Sequence, residues 1–386
     1  MQRVSDKPEV LYVSGSAVEE GTAPYTHVME VIGGLRKRGF PVRLVAVDYG
    51  GRQPSVGRRC LSIFVVQLRV VLALVASELR RKRLILYERY HVFMPVLSIV
   101  ARFLHIPSLL EVNGRPDDFV EIWSPPAFVS RVIVKTIRPS LRAASAVVAV
   151  SDGLSDSLRK EFKIAPRKLH VVPNGVDVEL FSPGDRHEAR MRVGLKETGK
   201  IVTYVGSLSI PRGVETLLEA CSLLAEEALD VQTLIVGGGV LEDDIRRSIG
   251  EKRLGNRVLL VGQVPNENVP HYVCAADVCV APYARCLSNE KGLSPLKVYE
   301  YLACGRPVVA SDFPWISDVL REGPCGIVVE PDDAAALSEA IRWLLERPEE
   351  AQEMGRRGRA LVEKRFTWDI AVDRIAEIIR DLCHDG

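Results

Sequence analysis

The chain has 386 residues, of which 47% are hydrophobic and 26% charged. That length suggests about two or three domains, and the composition excludes a mainly disordered chain. The 29 Gly and 23 Pro are dispersed without a period, which excludes a collagen-like or low-complexity chain. The net charge of +1 hides an asymmetry, because residues 1–180 carry 26 Lys and Arg against 17 Asp and Glu, while the remainder is acidic. A basic half suits an anionic membrane or substrate, or is only an uneven surface.

Val10–Gly15, VLYVSG, reads as a buried parallel strand that ends in Gly. A helix is expected from about Pro24 to Arg38, closed by Gly39, and PVRLVAVD follows as a second strand, which makes a right-handed βαβ unit. Leu61–Ala76 is apolar but shorter than the roughly 20 residues of a spanning helix, and it contains Gln67 and Arg69. With Arg80-Arg81-Lys82-Arg83 behind it, the segment reads either as a buried helix ending in cations or as a contact with a membrane surface. LILYERY, PSLLEVNG, ASAVVAVS and LHVVPNGVD continue the strand theme. Met1–Lys7 is polar, so no secretory leader is expected, and eight cysteines without a CxxC pair point to a reducing, cytoplasmic setting.

A second unit opens with KIVTYVGSLS and the amphipathic helix GVETLLEACSLLAEE. VQTLIVGGG, RVLLVGQV, ADVCVAPY, RPVVASD and GIVVEP are further strands, and the end of the chain is helical. The pattern is α/β, with two Rossmann-like, doubly wound parallel sheets. The expected domains are residues 1–185 and 186–365, with a last helix at 366–386 that packs back on the first domain. Ligands of such sheets sit beyond the carboxyl ends of the strands, so the loops there carry the function.

The most informative stretch is SNEKGLSPLKVYEYLACGRPVVASD, where a polar loop runs into a helix at Pro295. A helix N-terminus offers free N–H groups to phosphate. Lys297 in that first turn opposes the helix dipole, a conflict an anion relieves. Glu300 lies one turn further on, where a carboxylate can accept two sugar hydroxyls. PLKVYEYLACGRPVVASD resembles the donor-site signature of glycosyltransferase family 4, the retaining GT-B enzymes that use nucleotide sugars, in a subgroup with a P-x-K-x-x-E-Y pattern. VVPNGVDVELFSP, YVGSLSIPRGVETLLEA and ADVCVAPY resemble further segments of that family.

The resemblance implies a GT-B fold, with donor on the C-terminal domain and acceptor on the N-terminal one. It implies that Glu300 is the second carboxylate of a Glu–seven residues–Glu motif and binds the nucleotide ribose. The first position falls on Gly292, a departure for which Glu290 is the expected substitute. Leu293, Ser294, Pro295 and Leu296 are expected to line the diphosphate, the three non-proline residues through their backbone N–H groups. Gly206, Ser207 and Arg212 stand in the phosphate loop, where the family usually has an Arg and a Lys at the last two positions. Arg212 and Lys297 are expected to stabilise the leaving diphosphate. Gly237 permits close backbone approach, and Val264 is expected to meet the base.

Gly21, Thr22, Tyr25, Arg89, His91 and Asn113 are the expected acceptor contacts. No DxD triplet occurs, so no metal and no resident cofactor are expected, only a UDP- or GDP-linked sugar as co-substrate. The acceptor is expected to be a glycan or lipid-linked hydroxyl of cell-surface polysaccharide or glycolipid assembly, with a peripheral contact at the inner membrane face and no nucleic acid partner. Two alternatives stay open, a non-catalytic nucleotide-sugar-binding subunit and a sugar-nucleotide epimerase of the same fold.

Overall fold

Short runs of β-branched residues bounded by Gly, Pro or Asp make parallel strands whose two faces are both covered by helices. In strand β1 (Glu9–Ala17), Val10 to Val13 are wholly inaccessible to solvent. The computed structural model describes residues 7–19, 23–49, 56–117, 127–196, 198–227, 229–286, 289–290 and 292–384. Among these, twelve strands form two six-stranded sheets, parallel throughout. The chain divides into two compact units, residues 1–174 with 291–293 and 368–386, and residues 175–290 with 294–367.

In the first unit, β1 is followed by β2 (Val42–Val47), β3 (Leu84–Arg89), β4 (Ser108–Val112), β5 (Ala146–Ala149) and β6 (Leu169–Val171). Their order is β2-β1-β3-β4-β5-β6. The chain therefore reverses its winding between β1 and β3. Such a reversal opens a crevice at the carboxyl ends of the strands.

The run at Leu61–Ala76 lies within a longer helix, Val56–Leu79. Ile63, Val66, Val70 and Leu74 on one side of it are buried with Leu11, Val13 and Leu86 of the sheet. Leu61, Phe64, Leu68 and Leu72 on the other side are exposed, so among the described residues the helix packs in the core on one face only. The helix Trp368–His384 lies against helix Ala23–Lys37. A Cβ on Gly34 would stand 2.9 Å from Val372, so the two helices meet closely there, and Arg38 clasps Asp373 at 2.7 Å.

The second unit holds β7 (Lys200–Val205), β8 (Val231–Val236), β9 (Val258–Gly262), β10 (Val278–Ala281), β11 (Val308–Ser311) and β12 (Gly326–Val329). Their order is β12-β11-β10-β7-β8-β9, so the winding reverses between β7 and β10. One face of this sheet is filled by helices Val214–Glu226 and Ala334–Glu346, with Leu217, Leu218, Ile341 and Leu344 in the core.

Candidate active site

Two loops leave the carboxyl ends of β7 and β10, on either side of that reversal. Gly206 follows β7 with φ +150°, and its N–H donates to Val236 O at 2.9 Å. Ile210–Arg212 then form one turn of 3-10 helix, which ends on Gly213 in the left-handed region at φ 65°. A Cβ on Gly213 would lie 1.7 Å from Pro282 O, so only glycine fits.

The loop after β10 is tied to this turn. Asn289 is fully buried, and its Nδ2 donates to Pro211 O at 2.9 Å and Ala284 O at 2.7 Å. Trp315 Nε1 in turn donates to Asn289 O at 2.6 Å. Gly213→Ala is expected to lower stability by about 2 kcal/mol or more, from left-handed strain and a backbone collision. Gly33→Ala, inside a helix with nothing within 4 Å of the new methyl, is expected to raise it by about 0.5–1 kcal/mol. Denaturant unfolding of the pair checks both signs.

The clamp places Arg212 with its guanidinium 5.2 Å from the centre of the Tyr283 ring. Lys297, in the first turn of helix Leu296–Ala303, sets its Nζ 4.1 Å over the Tyr204 ring and 5.1 Å from that of Tyr283. A Cβ on Gly206 would stand 2.5 Å from that Nζ, so the missing side chain is what leaves room for the ammonium. Burial, and then the nearby Arg212 charge, push the Lys297 pKa well down against the pull of Glu300. Glu300 is pushed up to about 7 by burial, with Lys297 acting in the opposite sense. Gly206, Arg212, Lys297 and Glu300 are thus brought together: two cations, one of them held reluctantly, beside a carboxyl that titrates near neutrality.

The other expected donor residues surround this group unevenly. A Cβ on Gly237 would lie 2.0 Å from Gly206 O, so the loop after β8 needs glycine to touch the loop after β7. Ser207 accepts from Tyr204 OH through its carbonyl at 2.9 Å, and its Oγ faces that of Ser209 at 3.5 Å. Pro295 caps helix Leu296–Ala303, its carbonyl accepting from Val298 N and Tyr299 N, and Ser294 O accepts from Leu296 N. Val264 follows β9 and packs on Ile201, Leu234 and Val236. Glu290 is exposed. Gly292 and Leu293 group with the first unit. Gly292 has φ +100°, and a Cβ there would meet Ser151 Oγ at 2.7 Å, so a glutamate at 292 would be strained twice over.

In the first unit, the reversal between β1 and β3 holds a buried polar cluster. Tyr12 and Tyr87 stack with ring centres 4.6 Å apart. Glu111 on β4 is 2% exposed and accepts from Tyr87 OH and from Asn113 Nδ2. His27 Nε2 lies 2.6 Å from Glu111 Oε1, and the His27 ring meets Trp368 edge-on at 5.2 Å. Arg89 on β3 is the register partner of Glu111. Burial alone would raise the Glu111 pKa, but His27, Arg89 and the Tyr87 bond outweigh it and hold the carboxyl down at about 2.

Arg89 and Asn113 are thus gathered around Glu111. His91 stands apart against Phe93, and burial, then Arg89, lower its pKa to about 4, so it is neutral at pH 7. Tyr25 is half-buried in the first turn of its helix. Gly21 and Thr22 lie outside the described residues. Sequence reasoning missed His27 and Glu111. A lone Glu in the apolar strand SLLEV was the available signal, since an ionisable residue is almost never fully buried without a partner.

Residues 26–180 match the family model Glycosyltransferase Family 4, and residues 185–361 match Glycosyl transferases group 1. Between them the two glycosyltransferase models take in most of the chain. It is similar to D-inositol 3-phosphate glycosyltransferase 1 of Catenulispora acidiphila, 31% identical over 258 residues that cover 63% of this chain and 60% of that one. The chain spans about three fifths of the length of the curated relatives it matches.

Among solved structures, sucrose-phosphate synthase from Thermosynechococcus elongatus superposes with TM-score 0.77 at 22% identity, over 98% of this chain and all of that one. Anabaena Alr3699/HepE in complex with UDP gives TM-score 0.74 at 17% identity, covering 97% and 100%. These likenesses place the fold as GT-B.

Proposed function

We propose that this protein is a glycosyltransferase, moving a sugar from a nucleotide-diphosphate sugar to an acceptor hydroxyl with retention of the anomeric configuration. The observation that carries the reading is the Arg212–Lys297 pair beside glycine-lined backbone at the winding reversal of the second sheet. Two cations and a helix N-terminus suit a diphosphate. The C1–O bond breaks, its electron pair goes to the diphosphate, and Arg212 and Lys297 stabilise the charge that develops there.

The acceptor oxygen bonds to C1 on the face the diphosphate leaves, and its proton passes to the departing phosphate oxygen. Glu300 holds the ribose hydroxyls, and no metal is needed to bridge the phosphates. The acceptor is assigned to the first unit, at Arg89 and Asn113. UDP or GDP is the expected nucleotide, and the UDP bound to Alr3699/HepE favours the first. A cell-surface glycan or glycolipid acceptor, reached from the cytoplasm, fits the basic first half.

A thermal-shift screen of UDP, GDP, ADP and their common sugars tests the donor. A nucleotide at about 100 times its dissociation constant adds near 2.7 kcal/mol of stability. Proton NMR of the product with a simple acceptor then reads the anomeric configuration. Inversion overturns the mechanism, binding without transfer makes the chain a binding subunit, and turnover of donor without acceptor makes it an epimerase.

A further inference from the structure

Helix Val56–Leu79 is apolar on all sides, with an 18-residue stretch of mean hydropathy 2.2, yet only 28% of that stretch is buried. Leu61, Phe64, Leu68, Leu72, Val75 and Leu79 are 38–80% exposed. Their spacing of three and four residues puts them on one face, a stripe about 27 Å long at 1.5 Å per residue. Monomeric soluble proteins rarely leave so long a contiguous apolar stripe in water.

The helix is not a spanning segment. Its opposite face, through Ile63, Val66, Val70 and Leu74, fills the core against β1 and β3, and withdrawing it would open that core. Exposed Arg69 also lies midway along it. The stripe therefore meets its partner with the helix lying flat.

Charge selects the partner. Residues 56–83 carry seven Lys or Arg against one Glu, with Arg58 and Arg59 at one end and Arg80 to Arg83 at the other. Helix Leu97–Phe103 touches both this helix and helix Ala127–Ala143. On the latter, Arg131, Lys135, Arg138 and Arg142 are all exposed at steps of four, three and four residues, which makes a second stripe, this one cationic. Pairing two copies through these surfaces would bring like charges together. An anionic phospholipid surface accepts both stripes at once, the apolar one at the acyl boundary and the cations among the headgroups.

We propose that this face of the first unit docks on an anionic membrane, with helix Val56–Leu79 lying in the interface plane. The docking is separate from the transfer reaction, and its test needs no turnover. The protein is floated with vesicles of phosphatidylcholine containing about 30% phosphatidylglycerol, and with phosphatidylcholine alone. Retention is expected on the anionic vesicles only, and is expected to fall at least tenfold at high salt.

Leu68→Asp combined with Leu72→Asp, both on the exposed face, should lower retention at least tenfold while leaving the unfolding midpoint and the far-UV spectrum unchanged. Arg131→Ser with Lys135→Ser should weaken it several-fold. Failure of the wild-type protein to float, or equal flotation of the Asp variant, overturns the proposal. So does a wild-type dimer in solution that the Asp variant converts to monomer, which would assign the stripe to a second copy instead.

Discussion

Replacing Arg212 or Lys297 by alanine is expected to lower the transfer rate about 10²–10³-fold each, the scale on which a single preorganised donor to a developing oxyanion acts. That corresponds to about 2.7–4 kcal/mol of barrier. The two losses should not add, since both groups face Tyr283 and would act on one diphosphate. The pH profile separates this role from a structural one.

In the role proposed for it, Glu300, raised to about 7, accepts ribose hydroxyls best when ionised, so activity should fall as pH drops through about 7. Lys297 lowers the Glu300 pKa, so Lys297→Met should move that acid limb to higher pH, and Glu300→Gln should abolish it at a reduced rate. Initial rates from pH 5.5 to 9 with saturating acceptor read all three. An acid limb that survives in Glu300→Gln removes Glu300 from the assignment.

Strands that end in glycine were legible because buried parallel strands are short apolar runs and their exits need special backbone. The helix Leu296–Ala303 was legible because Pro295 marks its start and apolar residues recur behind it at helical spacing. What was not legible came from contacts between residues far apart in the chain. Nothing near Lys297 in sequence announces Tyr204, whose ring lies under its Nζ, or that Gly206 vacates the space for it.

Asn289 looks like one more polar loop residue until its side chain is seen bridging Pro211 and Ala284. The helix at Val56–Leu79 fails for a different reason. Periodicity marks a face only when the other face is polar, and here both are apolar, so only the packed structure says which side water sees. At Gly292 the departure from the family's carboxylate looked like a loss. Its positive φ and the nearness of Ser151 make it a backbone requirement.

Glu111→Ala is expected to destabilise the first unit by about 3 kcal/mol or more, because it leaves the buried groups of Tyr87, His27 and Asn113 without their acceptor, at about 1–3 kcal/mol each. His27 is 4% exposed, and Tyr87 is fully buried, so neither can turn to water when the carboxylate is gone. Glu111→Gln keeps an acceptor for Tyr87 and should cost about 1–3 kcal/mol.

The acid dependence carries the sign. The folded-state pKa of Glu111 is depressed to about 2, so its stabilisation is fully present above the ordinary carboxylate value and drains away as pH falls from about 5 toward 2. The wild-type stability curve should therefore be steeper in that window than the Glu111→Gln curve. His27→Phe alone should also destabilise, by orphaning the carboxylate, and it should raise the pKa of Glu111. In the double variant His27→Phe with Glu111→Leu neither partner is left behind, so part of the loss should return. Urea unfolding of the wild type, the two Glu111 variants, His27→Phe and the double variant at pH 7 and pH 3.5 reads these differences. A double variant no more stable than Glu111→Ala would mean that Glu111 stabilises the unit chiefly through Tyr87 and Asn113, with His27 a bystander.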